Sequence, residues 1–232
     1  KNKENMMKKS IVSDIIKKNL KVHIIISTFV KISILVIFVS SIYRFNLLVA
    51  FAALAMLIAS FLPSIIARRY KVFLPPEFEI MFSVFLYASF MLGEMRDYYL
   101  RYWWWDQMLH GFSALMLGLA GFLIIYSFYQ ANKIKSSPII AALFSFTFAL
   151  SLGALWEIIE FTIDYFLHTN MQKSGLVDTM TDLMTDAVGA LIASGLGYAY
   201  LRSGRVWIVD HLIDRFVNKN WERFRLKNKT KE

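Results

Sequence analysis

Residues 178–201 read DTMTDLMTDAVGALIASGLGYAYL. The stretch is long enough to cross a bilayer, which takes about 20 mostly apolar residues. Yet Asp178, Asp182 and Asp186 open it, each four residues after the last. An ionisable side chain at the centre of a membrane helix costs roughly 2.5–3.5 kcal/mol on insertion scales. At about 100° per residue the three aspartates fall within about 80° of arc, so they form one polar stripe. A helix that keeps such a stripe turns it away from lipid and uses it.

The surrounding chain carries the same signature. Residues are 57% hydrophobic and 16% aromatic, and mean hydropathy is +0.47. Soluble domains are about 45–50% apolar. Six segments reach membrane-spanning length and apolarity: 22–43, 45–66, 78–95, 104–128, 138–164 and 178–201. They are too long and too continuously apolar for barrel strands, and backbone polar groups in lipid must be paired internally. The expected fold is an all-α integral membrane protein with six transmembrane helices. Pro75-Pro76 marks a stop before the third span, and Pro63 is expected to kink the second or end it early.

Three regions are expected. Residues 1–21 form a basic amphipathic N-terminal segment, 22–202 the six-helix membrane domain, and 203–232 a basic amphipathic cytosolic tail. In the tail, Ile208, Leu212, Ile213, Phe216, Val217 and Phe224 recur at helical spacing among Arg215, Lys219 and Arg223. Such a helix suits the surface of an anionic inner leaflet. The charged start runs into the first apolar stretch without a small-residue cleavage site, so no cleavable leader is expected.

The net charge of +9 sits beside the spans, which speaks for membrane topology and against nucleic acid as a partner. The N-terminal segment, the second–third and fourth–fifth loops and the tail hold nearly all the Lys and Arg. The other side has only Arg44, Arg96, Arg101 and Lys173, with Lys31 inside the first span. The positive-inside rule therefore places both termini in the cytosol, and the expected location is the plasma (inner) membrane. Trp103, Trp104 and Trp105 read as an aromatic belt at the outer interface. With no cysteine in the chain, disulfides, Fe–S clusters and thiol catalysis are excluded.

This topology collects the acids. Asp106 and His110 open the fourth span, Glu157, Glu160 and Asp164 close the fifth, and Asp178, Asp182 and Asp186 open the sixth. All lie toward the outer leaflet, each set on one helical face. So many anions cannot all stay ionised together unless a cation joins them. Carboxylates with one imidazole suit a divalent ion such as Mg²⁺, Mn²⁺, Ca²⁺ or Zn²⁺. The expected ligands are Glu157, Glu160, Asp178, Asp182 and Asp186. His110 is expected to serve as ligand or general acid–base, oriented by Asp106. The acid count is enough for two ions.

Three motifs in order also carry a family resemblance. They are Asp106-Gln-Met-Leu-His110-Gly111-Phe112, Gly153-Ala-Leu-Trp-Glu157-Ile-Ile-Glu160, and Asp178-Thr-Met-Thr-Asp182 with Gly189-Ala190. Over residues 78–201 the chain resembles the YjdF-like inner-membrane proteins and, more loosely, the VanZ-like group. Where the VanZ-like pattern has Gln and Arg near the fifth-span acid and Asn after the sixth-span acid, this chain has Glu160 and Asp186. The resemblance implies a polytopic prokaryotic plasma-membrane protein concerned with cell-envelope lipids or precursors, and it supplies no reaction.

The functional expectation is a metal-dependent membrane hydrolase or transferase acting on a polar lipid headgroup. The alternatives are an ion- or proton-coupled transporter, or a lipid-binding accessory protein with a structural cation.

Overall fold

The computed structural model describes residues 24–69, 71, 73–130, 137–204, 206, 209–210, 212–213, 215–216 and 219–220. The N-terminal segment 1–21 lies outside the described residues. Every regular element among the described residues is helical. The chain divides into two compact units, with the boundary between Asp97 and Tyr98.

The first unit contains α1 (Ile24–Tyr43), α2 (Leu47–Ala59), α3 (Leu62–Arg69) and α4 (Pro76–Leu86). Helix α4 continues directly as a π-helical stretch, Tyr87–Glu94. Asn46 starts α2 by accepting a hydrogen bond from the Val49 amide at 3.2 Å. Helices α2 and α3 are interrupted at Ser60-Phe61. Pro63 accounts for the break, since it has no N–H to donate to Ala59 and its ring would meet that carbonyl. The kink expected at Pro63 is thus present, and Leu47–Arg69 as a whole remains long and apolar enough to span. Val30, Ile34, Ala53 and Phe90 form the buried core of the unit. The Lys31 ammonium rests over the Phe61 ring, 4.6 Å from its centroid.

The second unit contains α5 (Tyr98–Arg101), α6 (Trp105–Gln130), α7 (Pro138–Leu167) and α8 (Leu176–Ser203). Ser137 caps α7 and Pro138 takes its first turn, where a missing N–H costs nothing. Small residues let the three long helices close on one another. A β-carbon on Gly189 would strike the Gly111 carbonyl, and one on Gly118 would strike Ala193. Ser145 in α7 donates to the Gly118 carbonyl at 2.7 Å, tying α7 to α6 at the same level. Phe122, Tyr126 and Tyr200 fill one end of this bundle, with Tyr126 edge-on to Tyr200 at 5.7 Å. The acids occupy the other end.

Among the described residues, four helices are long and apolar enough to cross a membrane: Ile24–Tyr43, Leu47–Arg69, Trp105–Gln130 and Pro138–Leu167. The expected third and sixth spans are not among them. The π-helical turn divides the third, and the aspartates dilute the sixth. Of the stripe expected in the tail, Leu212, Ile213 and Phe216 are buried, and Ile208, Val217 and Phe224 lie outside the described residues. The three tryptophans divide as well. Trp103 is 85% exposed, whereas Trp105 is 8% exposed and packs edge-on against Tyr98 at 4.9 Å.

Candidate functional site: a buried acidic centre around His110

Helices α6, α7 and α8 bring their acids together at one end of the second unit. Asp106 and Asp178 lie in the first turns of α6 and α8, where the helix dipole favours negative charge. His110 follows Asp106 by one turn and is the hub. Its Nδ1 lies 3.3 Å from Asp186 Oδ1, and its Nε2 lies 3.7 Å from Glu157 Oε1 and 4.0 Å from Asp182 Oδ2.

Burial makes these acids informative. Glu157 is 4% exposed, and Asp182 and Asp186 are 1% exposed. Both oxygens of Glu157, both of Asp186, and Oδ1 of Asp182 are buried without a hydrogen bond of good geometry. Buried polar atoms are normally paired, and a bare buried carboxylate costs several kcal/mol. Thr181 and Thr185 donate to carbonyls of their own helix, so those two hydroxyls are committed elsewhere, while Thr179 accepts from Gln172 Nε2 at 2.6 Å and turns its own O–H toward Glu157. An imidazole offers at most two N–H groups. His110 cannot serve four carboxylates.

Lys173 is the nearby cation that sequence reasoning missed. From the α7–α8 loop its Nζ donates to Asp106 Oδ2 at 2.7 Å, while the ammonium sits 4.7 Å above the Tyr99 ring. Lys173 is the direct hydrogen-bonding partner that the structure gives Asp106. Its Oδ1 is 3.9 Å from His110 Nε2, beyond hydrogen-bond distance but within reach of an ion pair. The signal available in sequence was position. Lys173 is the only cation in a short loop between two acidic helix ends.

Asp164 belongs to the loop as well. It accepts from Thr169 Oγ1 and from the amides of Met171 and Gln172, both at 2.8 Å. It organises the segment that carries Lys173 and is not part of the cluster around His110. Glu160 accepts from the Trp156 indole at 2.9 Å while lying within the field of Glu157 and His110. Among the described residues, the groups close enough to share an ion are His110, Glu157 and Asp182, and separately Asp106, Asp178 and Asp182. Within each, the donor atoms lie within 4.8 Å of one another. An ion with bonds of about 2.0–2.5 Å spaces its donors roughly 3–5 Å apart.

Helices apolar enough to span, two of which join α8 around a buried acidic centre, define a helical membrane protein. Residues 25–203 match the family described as "Predicted membrane protein (DUF2238)", and the chain belongs to that family. It is also 31% identical over 129 residues to an uncharacterized protein of Thermotoga maritima, covering 54% of this chain and 64% of that relative's length. No solved structure matches it.

Proposed function

We propose that this protein binds a divalent cation between α6, α7 and α8, with His110, Glu157 and Asp182 as ligands, and uses it on a polar lipid headgroup as a hydrolase or transferase. The observation that carries this reading is the set of unpartnered carboxylate oxygens buried around one imidazole. Oxygen donors with one nitrogen suit Mn²⁺ or Zn²⁺, with Mg²⁺ and Ca²⁺ less favoured by the imidazole. A bound ion supplies positive charge to polarise a phosphoryl or carbonyl oxygen and to lower the pKa of a bound water. Asp106 and Lys173, with side chains 15% and 27% exposed, mark the side from which a headgroup arrives.

The cation centre is read as facing the outer leaflet of the plasma membrane, with six spans and both termini cytosolic. The outward face of α8 supports its place as a span. Val188, Leu191 and Ile192 are exposed there while its aspartates point inward. Basic residues flanking the spans face anionic inner-leaflet lipids. Likeness to YjdF-like and VanZ-like proteins fits a cell-envelope substrate. A transport path is less favoured, because the contacts of Gly189 with Gly111 and of Gly118 with Ala193 close the bundle beyond the acids.

The test is elemental analysis of full-length protein purified in detergent without chelator, beside headgroup-release assays on mixed lipids. One or more divalent ions per chain, lost in Asp182→Asn together with lipid turnover, is the expected result. Metal-free wild type that gains no ion on addition of Mn²⁺ or Zn²⁺ overturns the cation reading. Bound metal with no turnover on any lipid leaves a structural cation.

A further inference from the structure

Beyond the ion held by His110, the geometry points to a second cation position on Asp106, Asp178 and Asp182, for which the Lys173 ammonium is the built-in competitor. This rests on the first site because Asp182 belongs to both groups. Two observations other than acidity support it. Asp182 is 1% exposed with Oδ1 unpartnered, although Oδ2 already faces His110. The group also already attracts a positive charge, for Lys173 Nζ lies 2.7 Å from Asp106 Oδ2 and its field reaches Asp178.

The two positions differ in chemistry. The first has an imidazole nitrogen and suits Mn²⁺ or Zn²⁺. The second has only carboxylate oxygens and suits Mg²⁺, Mn²⁺ or Ca²⁺. A carboxylate shared between two ions is the arrangement that clamps a phosphate ester between metals about 3.5–4 Å apart. This narrows the headgroup to a phosphorylated one. Lys173 is placed to leave Asp106 when the second ion arrives, and Asp164 keeps its loop in position throughout.

Mn²⁺ titration followed by electron paramagnetic resonance tests this on the full chain in detergent. Wild type is expected to take two ions and to show the broadened spectrum of a spin-coupled pair. Asp178→Asn should keep one ion with an isolated-Mn²⁺ spectrum, and Asp182→Asn should lose both. Lys173→Met should leave the first ion unchanged and tighten the second by about tenfold, as expected when a competing ligand is removed. Gel-filtration profiles matching wild type establish that each variant is folded. Wild type saturating at one ion that depends on His110 and Glu157 overturns this inference and leaves the first site standing. Weaker second-ion binding in Lys173→Met overturns the competitor role. No bound ion at all is instead a failure of the first site.

Discussion

Gly153 and Asp186 share one volume, for a β-carbon on Gly153 would fall on the Asp186 carboxylate. The missing side chain on α7 is what lets an acid of α8 lie flat against it. That seat sets the 3.3 Å approach of Asp186 to His110 and so the spacing of the whole centre.

Gly153→Ala should therefore push Asp186 and α8 outward. Overpacking of this kind costs about 1–3 kcal/mol. Gly195→Ala, where nothing lies within 4 Å, is the matched control and should cost far less. Thermal unfolding in detergent measures both, and equal effects would refute the packing argument.

Asp182→Asn should change sign with metal. In chelator, removing one buried charge relieves repulsion and raises the melting temperature by roughly 2–4 °C per kcal/mol gained. With Mn²⁺ at a hundred times its dissociation constant, wild type gains about 2.7 kcal/mol and the variant does not. Protons compete with metal for the same carboxylates and imidazole, so the metal-dependent gain should shrink steadily from about pH 8 to about pH 5. A gain that grows on acidification would contradict carboxylate ligation.

Glu157 and Glu160 should separate cleanly. Glu157→Gln is expected to weaken Mn²⁺ binding by at least about tenfold, or 1.4 kcal/mol. Glu160→Gln should leave it nearly unchanged, because Glu160 is held by Trp156. Isothermal titration of both variants decides the matter.

Orientation is testable in a chain with no native cysteine. Ser174→Cys should react with an impermeant thiol reagent in intact cells, and Lys133→Cys should react only after permeabilisation. The reverse pattern would invert the assignment of the acidic end to the outer leaflet.

Spacing alone made much of the centre legible. Asp178, Asp182 and Asp186 recur each helical turn, and Asp106 precedes His110 by one turn, so convergence of α6 and α8 could be read directly. The break before Pro63 followed from its missing N–H. Helical arithmetic puts Glu160 on the same broad face as Glu157. Packing separates them. Glu157 is buried beside His110, while Glu160 is partly exposed and bonded to Trp156 one turn back. The partnership of Lys173 with Asp106 joins residues distant in sequence and depends on how Asp164 folds the loop, which no local pattern encodes. The π-helical stretch Tyr87–Glu94 left no signal recognised in the sequence.

Because the α7–α8 loop is knotted onto the Asp164 carboxylate, Lys173 is a counter-charge on a short tether. Its effective concentration at Asp106 is set by loop geometry rather than by the surrounding solution. Dialysis and chelators remove free cations but leave this one in place. The protein therefore carries a permanent minimum of charge compensation, and the acidic end of the bundle stays assembled through any interval in which no ion is at hand.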